Sequence, residues 1–304
     1  MTPSAEWKRI APGLVIDGRR GEVAEGTVTG DGGADVRESR SRSGRARATT
    51  HGELSHLALR MFVERGFERT TVDEIADGIH RISTPVPPSE ALPPGFTFNR
   101  FLIAGEKPLL YHTGPRGMFP LTRAAVEAVL PVERLRYIAF SHVEADECGA
   151  LNDFLAAAPQ AVPLCGEIAA MVSVGDIADR EPFAMADGQV LDLGGHQVTW
   201  IATPHLPHGW ECGHLYERGT GTLFCGDLFT QFGAEHPPLT EADILEPAEQ
   251  ARSALDYYSH TRDGSALIGK LAALQPGILA CMHGASWRGD GAALLEALGR
   301  RLDA

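Results

Sequence analysis

The sequence contains no long apolar run, and this absence excludes one class of protein. No hydrophobic stretch approaches the roughly 18–20 residues that a bilayer-spanning helix needs, so we expect no membrane contact. The first residues, MTPSAEWKRIAPG, also lack the apolar core of a secretory signal peptide. We therefore expect a cytoplasmic protein.

Cysteine is scarce as well, and its spacing is irregular. The five cysteines are an odd number without a framework pattern, at positions 148, 165, 212, 225 and 281. Secreted disulfide scaffolds use even numbers of cysteines in dense arrays. The sequence therefore predicts reduced thiols rather than a disulfide framework.

Basic residues are in deficit, since 27 Lys and Arg stand against 40 Asp and Glu, for a net charge of −13. Such a balance opposes general affinity for nucleic acid. Five arginines nevertheless cluster near the N-terminus, at positions 37, 40, 42, 45 and 47. Residues 1–50 are rich in Gly, Ser, Thr and charge and poor in large apolar groups, so we predict a disordered tail there.

The segment 51–77 differs from this tail because apolar residues recur in it at helical spacing. Its run ALRMFVERGFERTTVDEIA (58–76) resembles the first two helices of tetracycline-repressor-type DNA-binding domains. Thr71 and Glu74 would form a capping box that opens the second helix. Prolines at 85, 87, 88, 93 and 94 exclude the recognition helix that this family places next. We therefore interpret 51–77 as a partial helical relic, and the missing recognition helix argues against the alternative of a DNA-binding transcription regulator.

The remaining residues, 78–304, alternate between predicted strands and helices. The strands are predicted at 78–84, 96–105, 108–113, 134–140, 161–165, 188–203, 212–218, 221–227 and 278–284. The helices are predicted at 121–130, 147–158, 242–261, 266–277 and 290–304. This interleaving in two similar halves indicates an α/β fold with sheets packed face to face and helices outside.

Chargeable residues gather directly behind one buried strand. The strand RLRYIAF (134–140) is followed by SHVEADECG (141–149), which contains His142, Glu144, Asp146 and Glu147. Ligand sites of open α/β sheets lie at such strand ends. By itself the stretch is equally consistent with a helix start, in which Asp146 caps the helix and Glu147 favours its dipole.

Three later stretches favour a metal site over the helix-start interpretation. His205 and His208 follow a strand in ATPHLPHGWECG (202–213). Asp227 ends the strand in TLFCGDLF (222–229), and His283 ends the strand in ILACMHGASW (278–287). Four strand ends thus offer imidazole or carboxylate groups, each close to Gly or Pro.

Together these motifs resemble the metallo-β-lactamase superfamily, and within it the oxygen-binding di-iron branch that includes flavodiiron proteins. That branch reads His-x-Glu-x-Asp-His, then His, Asp and His, whereas hydrolase members read His-x-His-x-Asp-His. Glu144 therefore points to the di-iron branch. The resemblance covers about residues 74–304 and implies a four-layer αββα sandwich behind the disordered and helical N-terminal extension.

The resemblance also implies a ligand set for two metal ions. His142, Glu144 and His208 would hold one ion, while Asp146, Glu147 and His283 would hold the other. Asp227 would bridge them. His205 is either a group outside the ligand set on the substrate side or a plain structural histidine.

Glu147 departs from the family pattern, which usually has His at this position. If all four carboxylates bind two divalent ions, the reduced site is formally neutral, whereas a histidine at 147 leaves it one unit positive. Anionic oxygen donors favour the ferric state and hard cations over zinc. We therefore expect a more readily oxidised centre, unless Glu147 turns away to cap the helix and leaves the second ion weakly held.

The expected function is binding, sensing or reduction of O₂ or NO at two iron ions. No segment resembles a flavin-binding module, so we expect an external reductase to supply electrons, and the resemblance suggests a homodimer. The alternative is a zinc-dependent hydrolase of an ester, lactone or thioester that uses the same ligands.

Overall fold

The computed structural model describes residues 70–90 and 92–303. Within these ranges, two seven-stranded β-sheets form the centre of the molecule. No helix among the described residues is both long enough and apolar enough to cross a membrane. The five cysteines are buried and free of disulfides, as their spacing predicted.

The first sheet follows the chain from one edge to the other, in the order β1 to β7. Its strands are β1 Thr71–Ala76, β2 Ile79–Val86, β3 Phe96–Ile103, β4 Leu109–Tyr111, β5 Tyr137–Ala139, β6 Val162–Gly166 and β7 Phe183–Met185. The pairs from β1 to β4 are antiparallel, and the pairs from β4 to β7 are parallel. The parallel half contains the crossover helices, because parallel neighbours cannot be joined by a tight turn.

The second sheet has the order β12-β14-β13-β11-β10-β9-β8. Its strands are β8 Val190–Asp192, β9 Gln197–Ala202, β10 Gly213–Glu217, β11 Thr222–Gly226, β12 Leu239–Thr240, β13 Ile278–Cys281 and β14 Ser286–Arg288. Strand β10 is antiparallel to both β9 and β11, and β11 is parallel to β13. Strands β9, β11 and β13 therefore run in one direction and end at the same edge.

Helices cover the outer faces of both sheets. The α-helices are α1 Phe119–Glu127, α2 Ala145–Cys148, α3 Leu151–Ala157, α4 Glu167–Ala169, α5 Gly175–Ile177, α6 Leu245–Leu255, α7 Gly264–Ala272 and α8 Gly291–Leu302. Two short 3₁₀ turns, Arg116–Met118 and Val132–Arg134, and a π-helical turn, Ala170–Val174, complete the helical segments of the described chain. Asp290 caps α8 by accepting a hydrogen bond from the backbone N–H of Ala293.

Three apolar layers confirm the predicted αββα sandwich. The central layer lies between the sheets and contains Phe101 and Tyr111 from one sheet and Trp200 and Phe224 from the other. A second layer joins the first sheet to α1 and α3. A third joins the second sheet to α6, α7 and α8. The sandwich is thus formed by burying both faces of each sheet, which is the general solution for sheets of this type.

The prediction of a helix opened at Thr71 is wrong. Residues Thr71–Ala76 form strand β1, which pairs antiparallel with β2 from Thr71 opposite Ser83 to Ala76 opposite Ile79. Pairing with an open sheet edge overrides the local capping signal, since it satisfies the backbone polar groups and buries Ile75. The other predictions for the N-terminus, a tail at 1–50 and a helix within 51–69, lie outside the described residues.

Two smaller differences concern the second half. The predicted helix 242–261 ends at Leu255, where Asp256 adopts a left-handed conformation (φ 48°) that terminates it. The short strands β7, β12 and β14 were not predicted, because two or three residues are too few to show an alternating pattern.

The central layer allows a direct test of the sandwich. Phe224 is fully buried and its ring centroid lies 5.6 Å from that of Phe101 and 5.0 Å from that of Tyr111. Phe224→Ala should lower the free energy of unfolding by about 3–5 kcal/mol, because it leaves a cavity between the sheets. Phe183, which is 38% exposed in β7, serves as the matched control. Urea unfolding that shows equal losses for Phe224→Ala and Phe183→Ala would contradict this packing.

Candidate metal centre

Four strand ends bring the predicted site residues to one edge of the sandwich. Strand β5 leads into the turn that contains His142 and Glu144, and β9 leads into the loop of His208. Strands β11 and β13 end just before Asp227 and His283. The ladder between β11 and β13 shifts its register next to Asp227, as strands do where they re-aim a side chain.

The first group comprises His142, Glu144, His208 and Asp227, whose potential ligand atoms all lie within 4.8 Å of one another. Oε2 of Glu144 lies 3.3 Å from Nε2 of His142 and 3.0 Å from Nε2 of His208. Oδ2 of Asp227 lies 3.7 Å and 3.4 Å from the same two nitrogen atoms. Two imidazoles and two carboxylates therefore converge on one point.

The second group comprises Asp146, Glu147 and His283, again within 4.8 Å of one another. Nε2 of His283 lies 3.5 Å from Oδ2 of Asp146. The same nitrogen lies 3.3 Å from Oδ1 of Asp227. Asp227 thus presents one oxygen to each group, which is the geometry of a bridging carboxylate.

Glu147 lies inside the cluster and not on the helix surface. It belongs to the first turn of α2, whose N-cap residue is Glu144 and whose N-terminus has no side-chain cap. The side chain is fully buried, and neither of its oxygens meets a hydrogen-bond donor among the described residues. Oε2 approaches Nε2 of His142 to 3.8 Å. A buried carboxylate of this kind is costly unless a cation compensates it.

The electrostatics of the cluster point to the same requirement. Burial, followed by the neighbouring charges of Asp146, Asp227 and Glu144, raises the pKa of Glu147 well above its usual value. Repulsion between these carboxylates therefore opposes ionisation of Glu147. A divalent ion among them would reverse that preference, because it stabilises the charged form of every neighbour.

The imidazoles have the opposite effect on Asp227. Burial by itself would raise the pKa of Asp227, but His283, His142 and His208 outweigh it and hold the pKa well below the usual range. Burial would likewise lower the pKa of His283, yet Asp146 and Asp227 raise it to about 10. A metal ion that binds His283 must therefore displace a proton from it.

Strand β3 holds His283 in place through its backbone. Nδ1 of His283 donates a hydrogen bond to the carbonyl of Thr97 at 2.7 Å, which leaves Nε2 facing the carboxylates. The hydroxyl of Thr97 accepts the backbone N–H of Gly284. Sequence reasoning missed Thr97, because a backbone carbonyl on a strand remote in sequence leaves no signal in residue type.

Aromatic rings close one side of the second group. The ring of Phe96 stacks on the imidazole of His283 at 4.2 Å between centroids, and Phe98 meets its edge at 5.3 Å. Both phenylalanines come from β3. They exclude water from this face of the imidazole and lower the local dielectric constant.

The loop between β9 and β10 separates the two candidate histidines. His208 is partly buried in the cluster, whereas His205 is exposed and lies outside both groups. Glu211, which sequence reasoning also missed, accepts a hydrogen bond from the backbone N–H of Val143 at 3.0 Å. It thereby ties the His208 loop to the turn that holds His142 and Glu144.

The donor set fits a pair of hard or borderline cations. The two groups supply three imidazoles and four carboxylates, and no thiolate belongs to either. Such oxygen-rich sets suit iron and manganese better than soft metals. The unpartnered oxygens of Glu147 are directed into the cluster, where a metal ion would satisfy them.

A model of the family described as ODP family beta lactamase matches residues 96–284. Over 194 residues the chain is 30% identical to the putative diflavin flavoprotein A 2 of Synechocystis, covering 62% of this chain and 33% of that protein. Over 213 residues it is 28% identical to the anaerobic nitric oxide reductase flavorubredoxin of Pectobacterium carotovorum, covering 66% and 42%.

Among solved structures, the metal-soaked Flv1 flavodiiron core of Synechocystis superimposes with a TM-score of 0.65 at 23% identity. The match covers 78% of this chain and 61% of that one. The chain spans about a third of the length of the first curated relative. Because the family model covers more than half of the residues and the fold agrees, the chain belongs to the ODP family, in the flavodiiron branch of the metallo-β-lactamase superfamily.

Proposed function

We propose that the cluster holds two iron ions and that the protein binds, senses or reduces O₂ or NO there. His142, Glu144 and His208 ligate one ion, and Asp146, Glu147 and His283 ligate the other. Asp227 bridges the two. The observation that supports this assignment is the placement of Asp227, whose Oδ2 faces His142 and His208 while Oδ1 faces His283.

Charge and donor type favour iron over zinc. Four carboxylates would neutralise two divalent ions completely, and further oxidation would still be stabilised by the anionic donors. Two iron ions held by these residues would supply one-electron chemistry for a small diatomic molecule. The protein contributes the fixed ligand geometry and the apolar wall of Phe96 and Phe98 beside His283.

The relatives support a reductive role. One is named a nitric oxide reductase and another a diflavin flavoprotein, which fits electron delivery by a flavin. We accordingly propose that a separate reductase supplies electrons to this centre. A homodimer and a cytoplasmic location belong to the same proposal.

The proposed function is tested by anaerobic loading with ferrous iron, followed by exposure to O₂ or NO. The expected result is about two iron ions per chain and a visible charge-transfer band that develops on exposure. A chain that retains only zinc and stays colourless would support the hydrolase alternative instead. Hydrolysis of ester, lactone or thioester probes by that sample would then replace the proposal.

The two loop histidines provide a matched test of the ligand set. His208→Ala should reduce the metal content from two ions to about one, because it removes one of the ligands of the first ion. His205→Ala should leave two ions bound, since His205 is exposed outside the cluster. Metal analysis after gel filtration measures both variants. Equal losses in the two variants, or an unchanged content in His208→Ala, would refute the assignment of His208.

Glu147 is expected to set the reduction potential of the centre. Replacing it by histidine or by the isosteric, neutral glutamine removes one negative charge from the buried cluster. Both Glu147→His and Glu147→Gln should therefore raise the potential of the iron-loaded protein in a redox titration. A wild-type potential above that of Glu147→His would contradict this role. Glu144→Asp, which keeps the charge, is the control for disturbed geometry.

A further inference from the structure

Behind His142, on the side away from the carboxylates, lies a chain of three hydrogen-bonded groups. Nδ1 of His142 lies 2.9 Å from the hydroxyl oxygen of Ser141. The same hydroxyl lies 3.1 Å from Nε2 of His112. The backbone N–H of Ser141 donates to that Nε2 atom at 3.3 Å. All three side chains are buried.

The direction of every hydrogen bond in this chain follows from the backbone N–H of Ser141, which can only donate. Nε2 of His112 must then be an acceptor, so its proton resides on Nδ1. The hydroxyl of Ser141 consequently donates to Nε2 of His112 and accepts from Nδ1 of His142. With its Nδ1 committed to Ser141, His142 offers Nε2 as the nitrogen available to a metal ion, and this is the atom that faces Glu144, Glu147 and Asp227.

We propose that His112 and Ser141 are positioning residues that select the metal-binding tautomer of His142. His112 acts as the terminal acceptor, and Ser141 transmits its preference to Nδ1 of His142. The inference rests on the proposed metal centre for its purpose but not for its geometry. It assigns a role to a histidine that lies outside both ligand groups.

The conformation of His112 shows that this position is demanding. His112 has a φ of 64°, in the left-handed region that residues other than glycine seldom adopt. Its backbone N–H donates to the carbonyl of Ala139 at 2.7 Å, and its ring stacks on Tyr111 at 4.2 Å between centroids. The hydrogen bond to Ala139 in β5 and the stacking on Tyr111 in β4 thus hold His112 in a strained backbone conformation. Backbone strain of this kind is common at functional sites.

The space around the Ser141 hydroxyl is also restricted. A Cβ atom on Gly226, the residue before Asp227, would lie 2.8 Å from Oγ of Ser141. Gly226 itself has a φ of 51°. The absence of a side chain there lets the hydroxyl sit between His112 and His142. The strand end that supplies the bridging carboxylate therefore also makes room for the hydrogen-bonded chain.

The tautomers are tested directly on the unmodified protein. Long-range ¹H–¹⁵N NMR of histidine-labelled protein reports which ring nitrogen carries the proton. We expect His112 to be protonated at Nδ1 in both the metal-free and the zinc-loaded protein, and His142 to be protonated at Nδ1 in the zinc-loaded form. A proton on Nε2 of His112 overturns the proposal, whatever metal the centre prefers.

Variants test the consequence for metal binding. Ser141→Ala removes the hydroxyl, and His112→Asn removes the acceptor while keeping a residue that tolerates the left-handed region. Each should speed zinc loss to a chelator by about 10–100-fold, as for other partners of metal-bound histidines. The double variant should lose zinc no faster than the faster single variant, because both changes break one chain.

Thr222→Val is the matched control. Thr222 is fully buried and its hydroxyl bonds to Thr220, at the end of β11 away from Asp227. The Thr222→Val variant should release zinc at the wild-type rate, although it loses a buried hydrogen bond. Additive effects in the double variant, or equal effects of Thr222→Val and Ser141→Ala, would reduce Ser141 and His112 to general structural roles and refute the proposal. A wild-type protein that binds no zinc or iron refutes the metal centre instead, while the NMR result for His112 still decides its tautomer.

Discussion

The central constraint on this structure is the mutual repulsion of four carboxylates held within a few ångströms of one another. Glu144, Asp146, Glu147 and Asp227 meet three imidazoles at one edge of the sandwich, and Glu147 is entirely cut off from solvent. Imidazoles by themselves hold Asp227 ionised but leave Glu147 with a strongly raised pKa. Cations resolve this conflict, since they stabilise all the negative groups at once. Metal ions at the proposed centre would therefore stabilise the arrangement, and the fold supplies the rigidity that keeps the groups together.

That rigidity comes from short connections behind the strands, which hydrogen bonds fasten to other segments of the chain. The carbonyl of Thr97 in β3 fixes His283, and Glu211 joins the His208 loop to the turn of His142. The two sheets contribute candidate ligands to a common point, so their packing determines the distance between the two groups of side chains. Ligand sites need this kind of support, because small displacements weaken metal binding. The apolar layer between the sheets therefore helps to set the geometry of the site.

The donor set shows how one scaffold is directed to different chemistry. The resemblance places histidine at position 144 in hydrolases, where this chain has Glu144, and histidine at position 147 in other di-iron members, where it has Glu147. Both changes replace a neutral donor by an anionic one. The fold is common to the whole superfamily and does not by itself define the reaction. In the proposed centre, the charge at these two positions on one turn would favour harder and more oxidised metal ions.

The sequence by itself determined the strand ends and the residues that follow them, because a buried strand and an abrupt polar turn are both local patterns. His142, Asp227 and His283 could be assigned in this way, as could the layered αββα order. Only the tertiary structure decided what depends on contacts between distant segments. It made Thr71–Ala76 an edge strand where the local pattern predicted a helix. It directed Glu147 into the cluster, left His205 outside, and placed His112 behind Ser141. These outcomes depend on which strands become neighbours. The residue types along one segment do not determine the pairing of distant strands.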